Sequence, residues 1–193
     1  MLLCLSVWFC FVLAKIWISA ELVPIFFVLL SRRKSETAMK KEELMAMAIR
    51  LAEENIDTGG GPFGAVIARD GQVVATGVNR VTASCDPTAH AEVSAIRAAA
   101  RALGTFDLHG CDIYSSCEPC PMCLSAIYWA HLDRVFYAGT KDDAARAGFD
   151  DAFIYHELAT APALRRLPAE PMMHAESLKV FSKWMTKEDK TIY

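Results

Sequence analysis

Residues 86–92 have the sequence Asp-Pro-Thr-Ala-His-Ala-Glu, and residues 116–123 have the sequence Ser-Cys-Glu-Pro-Cys-Pro-Met-Cys. The first segment leads into an alanine-rich stretch that predicts a helix from about residue 89 to 103. The second leads into a helix predicted from about residue 120 to 130, where prolines favour the first turn. The sequence therefore places a histidine and a glutamate at one helix start and two cysteines at another.

Strand-like and helical segments alternate on both sides of these two motifs. Strands are predicted over residues 63–69, 72–78, 111–116 and 135–138, and Asp70-Gly71 is a strong hairpin signal between the first two. Further helices are predicted over residues 42–54, 142–147, 152–158 and 175–185. Alternation of this kind indicates a layered α/β domain.

Three of the motif residues are of the types that zinc accepts as ligands. His90, Cys120 and Cys123 offer one nitrogen and two sulfurs, and three protein ligands leave a fourth position open, as in catalytic zinc sites. The two cysteines are three residues apart, so one helical turn places both sulfurs on one face. A helix N-terminus also favours the thiolate form that binds metals. We therefore predict a Zn²⁺ site.

Glu92 follows His90 by two residues, a spacing that would put the two side chains on different faces of a helix. We therefore predict that Glu92 carries protons beside the metal and is not a fourth ligand. Hydrolytic deamination needs such a group, because water must lose a proton while the ring nitrogen and the departing ammonia gain protons. The pattern H-x-E followed by P-C-x-x-C is an established signature of zinc deaminases.

Cys117 allows two alternative metal sites that would be structural. As a fourth ligand it would complete a closed zinc site. An iron–sulfur cluster would require a further cysteine four residues after Cys123, where the chain has Ile127. The favoured interpretation is that Cys117 is a small residue ending a strand.

Charge and cysteine content narrow the function classes. Residues 39–193 carry 16 Lys and Arg against 21 Asp and Glu, a net charge of −5. This balance predicts no nucleic-acid-binding face, although it permits a small uncharged substrate. The clustered cysteines are unlike the disulfide framework of a small secreted domain and indicate a metal site in a reducing compartment.

Residues 1–38 form an apolar leader that is distinct from the predicted catalytic domain, residues 39–193. Residues 2–30 carry only two charged side chains, Lys15 and Glu21, and exceed the roughly 20 apolar residues that a membrane span needs. The leader is interpreted either as a membrane anchor or as the product of a start site placed too far upstream. If the leader is an anchor, the cations that follow it favour a cytoplasmic catalytic domain. The start-site interpretation also leaves that domain in the cytoplasm.

At these motifs, and from about Lys40 to Tyr193, the chain resembles the cytidine-deaminase superfamily. That resemblance implies a three-layer α/β/α fold around a five-stranded mixed sheet. The segment Gly148-Phe149-Asp150-Asp151 and the terminal tyrosine are similar to the bacterial guanine deaminase family. The implied activity is hydrolysis of guanine to xanthine and ammonia. Another base or nucleoside, such as tRNA adenosine or guanosine, and a non-catalytic zinc module are the alternatives.

The family resemblance also implies roles for two polar residues. Asn79 is expected to hydrogen-bond the purine base, since an amide offers both a donor and an acceptor. Its alternative is a turn asparagine after a strand. Asp151 is expected to bind the guanine 2-amino group or to help move protons. Its alternative is a helix N-cap, a role that Asp150 could equally fill.

Four further contacts are implied by the same resemblance. Phe63 and Trp129 are expected to pack on the purine plane, although either could belong to the core. Ala91 is expected to contact the substrate through its backbone. Tyr193 is expected to close a site, that of the partner subunit, in a homodimer with swapped C-terminal segments. The alternative for these last residues is a frayed tail.

Overall fold

The computed structural model describes residues 38–192, so the apolar run 2–30 and Tyr193 lie outside the described part of the chain. The helices are α1 (Lys41–Asp57), α2 (Val81–Ser84), α3 (Ala91–Leu103), α4 (Pro121–Trp129), α5 (Lys141–Arg146), α6 (Ala152–Ala159) and α7 (His174–Thr186). The strands are β1 (Gly64–Arg69), β2 (Gln72–Val78), β3 (Asp112–Cys117) and β4 (Arg134–Gly139), and a 3₁₀ turn covers Pro162–Leu164. Within residues 38–192, no helix is long and apolar enough to cross a membrane.

The strands form one mixed sheet in the order β2-β1-β3-β4. Strand β1 is antiparallel to both β2 and β3, whereas β3 and β4 run parallel. The predicted hairpin joins β1 to β2, and both of its turn residues, Asp70 and Gly71, have positive φ, as a type I′ turn requires. Helix α4 connects the two parallel strands.

Helices cover both faces of the sheet, as two glycines indicate. A side chain at Gly64 would meet Ala48 and Ala52 of α1, whereas one at Gly77 would meet Ala91 and Ala95 of α3. Gly77 pairs across the ladder with the neighbour of Gly64 in β1, and successive residues of a strand point to opposite faces. Helices α1 and α3 therefore lie on opposite faces, which gives the predicted α/β/α layering.

The sheet has four strands within the described residues, so the five strands implied by the family resemblance are a wrong prediction for this chain. The four strands predicted from the residue pattern are all present. The described residues after α6 add no strand to the sheet, and Pro162, Pro168 and Pro171 interrupt this part of the chain. Because proline lacks a backbone N–H, this segment is a poor partner for a strand ladder.

Candidate active site

Two helix N-termini converge to form the site. His90 is the N-cap of α3 and Cys120 is the N-cap of α4, and both have extended backbones. Glu92 and Cys123 lie within the first turn of these helices. His90 lies outside the helix, so helical spacing does not fix the direction of its side chain relative to that of Glu92. Both side chains reach the same site. The positive ends of two helix dipoles there favour negatively charged sulfur and oxygen.

The three predicted ligands lie together. His90 Nδ1 is 3.6 Å from Cys120 Sγ and 3.5 Å from Cys123 Sγ, and all three ligand atoms lie within 4.8 Å of one another. Zinc bonds of about 2.3 Å to sulfur and about 2.0 Å to nitrogen at tetrahedral angles separate the two atoms by about 3.6 Å. Both nitrogen–sulfur separations thus match those of a zinc site.

The charges of the cluster also favour a cation. The pKa of the Cys120 thiol is lowered to about 4, because Cys123 donates a hydrogen bond to it and His90 lies beside it. The pKa of Cys123 is raised, since its proton is held against Cys120, its sulfur is buried and the Glu92 carboxylate is close. Two adjacent thiolates beside a carboxylate repel one another, and a divalent metal ion removes that repulsion.

Glu92 is buried, with 6% of its surface exposed. Ser115 Oγ donates to Glu92 Oε1 at 3.1 Å, and Cys123 Sγ lies 3.3 Å from Oε2. Burial raises the pKa of the Glu92 carboxyl. A carboxyl with a raised pKa exchanges protons closer to neutral pH, as a general acid–base group must.

Cys117 ends β3, as predicted, and lies outside the ligand cluster. Its thiol donates to Thr140 O at 3.5 Å, and burial raises its pKa to about 11. A neutral thiol with its own acceptor is a poor fourth ligand, so the geometry disfavours the closed zinc site.

A cavity of about 550 Å³ opens above the cluster. Six of the predicted site residues line its wall: Phe63, Asn79, His90, Glu92, Cys120 and Asp151. Asn79 is buried, and its Oδ1 accepts a hydrogen bond from Val81 N at 3.3 Å. Phe63 packs edge-to-face against Phe149 at 4.9 Å between ring centroids. The cavity thus combines aromatic surface with a few polar groups, as small-molecule sites do.

The two aspartates before α6 have different surroundings. Asp150 Oδ1 accepts a hydrogen bond from Ala152 N at 2.9 Å, whereas Asp151 makes no side-chain cap bond. Asp151 lines the cavity, and partial burial and the charge of Cys120 raise the pKa of its carboxyl. The capping role therefore belongs to Asp150, and the Asp151 carboxylate faces the site.

The remaining predicted contacts are not all brought to the cavity. Ala91 is fully buried at the first position of α3, where helix N–H groups have no partner within the helix. Trp129 ends α4 with 64% of its surface exposed and does not line the cavity. Tyr193 lies outside the described residues.

Asn55 is a site-supporting residue that sequence reasoning missed. It lies on the buried face of α1 and is 3% exposed. Its Nδ2 donates to Gly61 O and to Asn79 O, both at 2.8 Å, so one amide joins two segments of the cavity wall. The signal was present in the sequence, because Asn55 continues the spacing of the buried positions 44, 48 and 52, where an apolar residue is expected.

The chain matches the family model of the cytidine and deoxycytidylate deaminase zinc-binding region over residues 38–139, more than half of its length. The protein belongs to this family of zinc-binding deaminases.

Its relatives include the guanine deaminase of Bacillus subtilis, which is 50% identical over 156 residues, 80% of this chain and 100% of that protein. The X-ray structure of guanine deaminase from Bacillus subtilis aligns with a TM-score of 0.78 over 80% of this chain and 99% of that chain. The guanine deaminase of Nitrosomonas europaea aligns at 28% identity with a TM-score of 0.57, over 74% of this chain and 73% of that chain. A tRNA-specific adenosine deaminase of Aquifex aeolicus is 38% identical over 100 residues, 52% of this chain and 66% of that protein.

Proposed function

We propose that the protein hydrolyses guanine to xanthine and ammonia. The observation that carries this proposal is the extent of the similarity. The Bacillus guanine deaminase matches over its whole length, whereas the zinc-binding region ends at residue 139 and the tRNA enzyme matches over 100 residues. The segment 148–151 lines the cavity and lies beyond residue 139, in the part of the chain that the zinc-binding family model does not cover.

In this proposal, His90 Nδ1 and the thiolates of Cys120 and Cys123 hold the zinc ion. Bound zinc supplies a Lewis acid that makes water a nucleophile at neutral pH. The two cysteines lie at and just inside the N-terminus of α4, where the helix dipole stabilises their charge. The extended backbone of His90 lets the imidazole reach both sulfurs.

Glu92 moves the protons. Its carboxylate takes a proton from water and passes protons to the purine ring nitrogen and then to the departing amino group, so that guanine and water become xanthine and ammonia. Ser115 holds Oε1 in place. Burial keeps bulk water from exchanging the proton before it reaches the base.

The rest of the cavity binds and orients the base. The amide of Asn79 hydrogen-bonds a purine edge, and the Asp151 carboxylate accepts from the 2-amino group or assists proton movement. Phe63 provides an aromatic surface against the ring. Ala91 offers its backbone N–H to substrate oxygen. Trp129 and Tyr193 contribute only if a second subunit brings them to the site.

The exposed apolar surface of α7 supports the homodimer. Leu178, Val180, Phe181 and Trp184 are 40–68% exposed on this helix. Contiguous apolar surface of this kind marks an interaction site. In the proposed dimer these side chains pack against the second copy, and the swapped C-terminal segment brings Tyr193 to the neighbouring site. Residues 39–193 form the deaminase domain, and residues 1–38 are a separate leader.

The test is ammonia release by the purified full chain, offered guanine, guanosine, adenine, cytosine and a tRNA anticodon stem. We expect turnover of guanine alone, with xanthine as product. Turnover of tRNA adenosine or of another base would keep the zinc mechanism and refute the substrate. A zinc-loaded chain that releases no ammonia from any of them would favour a non-catalytic zinc module.

A further inference from the structure

A second cluster of metal-binding side chains lies away from the active site. Asp107 follows the C-terminal end of α3, and His131 follows the C-terminal end of α4. His90 and Cys120 occupy the N-terminal ends of the same two helices. Because α3 has 13 residues, its ends are separated by about 20 Å. The cluster of Asp107, His109 and His131 is therefore a separate feature of the molecule.

The three side chains already converge. Asp107 Oδ1 lies 2.6 Å from His109 Nδ1 and 3.5 Å from His131 Nδ1, and one ligand atom from each residue lies within 4.8 Å of the others. Metal bonds of about 2.0–2.2 Å to nitrogen and oxygen place neighbouring ligand atoms about 3–3.5 Å apart. Small rotations of exposed side chains would bring all three to these separations.

One ring nitrogen in the cluster lacks a hydrogen-bond partner. His131 Nδ1 is buried and makes no hydrogen bond, although Asp107 Oδ1 lies 3.5 Å away. A buried polar atom without a partner costs free energy. A cation bound between His131 Nδ1 and Asp107 Oδ1 would satisfy this nitrogen through its lone pair.

The backbone holds the cluster in place. Leu108 N donates to Ala130 O at 2.9 Å, and His131 N donates to Tyr128 O at 3.0 Å. The first bond joins the loop after α3 to the end of α4, and the second fixes the backbone of His131 against the last turn of α4. The carbonyl groups at the C-terminus of α4 also favour a positive charge there.

We propose that Asp107, His109 and His131 bind a divalent transition-metal ion of the zinc type. Imidazole and carboxylate ligands suit zinc, nickel and copper. The site has no thiolate and its side chains are partly exposed, so it binds metal more weakly than His90, Cys120 and Cys123 and exchanges it with solvent. The bound ion links the two loops and stabilises the fold in proportion to metal concentration.

The test counts zinc bound by the full chain, using equilibrium dialysis followed by elemental analysis. The wild type is expected to bind two zinc ions and the double variant His109→Ala/His131→Ala one, while the control His174→Ala, an exposed histidine on α7, retains two. Addition of zinc beyond the first equivalent should raise the Tm of the wild type and of the control, but not of the double variant.

Replacing zinc with cobalt distinguishes the two sites by their absorption spectra. Thiolate charge-transfer bands should report Cys120 and Cys123 and stay unchanged in the double variant, while the weaker bands of the second cobalt ion disappear. Asp107→Asn keeps the shape of the side chain and should weaken the second site by at least about tenfold if the double variant fails to fold. Binding of a single zinc ion by the wild type, or unchanged second-site affinity in Asp107→Asn, would overturn the proposal.

Discussion

At the scale of single residues, burial determines what Glu92 can do. An exposed glutamate is fully ionised at neutral pH and is a weak base toward water, whereas desolvation raises the pKa of the Glu92 carboxyl and makes its carboxylate a stronger base. Ser115 holds its Oε1, and its Oε2 lies 3.3 Å from Cys123 Sγ, one of the proposed zinc ligands. The same side chain on the surface would be an ordinary solvated charge.

We expect Glu92→Gln to lower kcat for guanine by about 10²–10⁴-fold, because general acid–base catalysis contributes about that factor. Zinc content should be unchanged, since Glu92 is not a ligand in our proposal. Steady-state ammonia release and elemental analysis check both. The control is Glu118→Gln, a carboxylate of the cavity wall, for which we expect less than about a tenfold loss. Similar losses in the two variants would contradict the role of Glu92.

Asn55 acts through its amide N–H₂ group, which joins Gly61 O to Asn79 O. Asn55→Asp replaces this donor with oxygen and leaves two carbonyl groups facing a carboxylate. We expect a loss of unfolding free energy of roughly 2 kcal/mol and a raised KM, because Asn79 is displaced. Urea unfolding and steady-state kinetics measure the two effects. Unchanged KM in a folded Asn55→Asp chain would show that Asn79 needs no such support.

At the scale of elements, close packing of a strand against a helix positions His90 and Glu92. A Cβ at Gly77 of β2 would lie 2.2 Å from Ala91 O and 2.4 Å from Ala95 N. Ala91 directly follows His90 and precedes Glu92. The N-terminus of α3, with His90 and Glu92, can therefore lie this close to β2 only because residue 77 is a glycine and has no side chain.

Gly77→Ala should therefore shift α3 and weaken zinc binding as well as the fold, at a cost of about 1–3 kcal/mol for overpacking. Gly139→Ala in β4 is the matched control, because a Cβ there meets its nearest neighbour, Ser116 O, at 3.5 Å. Thermal unfolding and zinc content distinguish the two variants. Equal stability in both would mean that the helix adjusts freely.

Helix α5 begins with a capping box formed by Thr140 and Asp143. Thr140 donates to the Asp143 carboxylate through its backbone and side chain and accepts from Asp143 N, and these bonds lower the pKa of Asp143. The stabilisation of the fold by the ionised Asp143 carboxylate is fully present above pH 3.8, its ordinary pKa. It is lost as the pH falls through the lower pKa that Asp143 has in the folded chain.

Thr140→Ala should cost about 1 kcal/mol of stability at neutral pH and return the pKa of Asp143 toward 3.8. Carboxyl NMR titration follows the pKa, and chemical denaturation follows the stability. The destabilisation should shrink at pH values below the folded pKa of Asp143. Thr160→Ala, which removes a hydroxyl at the end of α6, is the control and should leave the Asp143 titration unchanged.

At the scale of the whole molecule, the exposed apolar face of α7 supports a two-chain assembly. The side chains at 178, 180, 181 and 184 would remain in water in an isolated chain, which natural surfaces avoid. A second copy would bury them.

We expect the wild type to sediment as a dimer and Phe181→Glu/Trp184→Glu to sediment as a monomer with reduced activity. Lys179→Glu, on the same helix, changes charge without removing apolar surface and should remain dimeric. Sedimentation velocity measures the mass of the wild type and of each variant. A monomeric wild type at micromolar concentration with full activity would refute the dimer and the shared site.

The residue pattern was sufficient to predict the positions of the four strands and of the long helices, because periodicity and turn residues are local properties. The motifs were also sufficient to predict His90, Cys120, Cys123 and Glu92 as a group, since the chemistry of a zinc deaminase restricts residue types and spacing. The class of reaction followed from those few positions.

Only the tertiary structure decided which groups share a site. The meeting of His90 with Cys120 and Cys123, and the buried amide of Asn55 against Asn79, depend on contacts between segments far apart in the chain. The fifth strand implied by the resemblance is absent from residues 38–192. Short-range patterns carry no information about such contacts, because they arise from how helices and strands pack after each has formed.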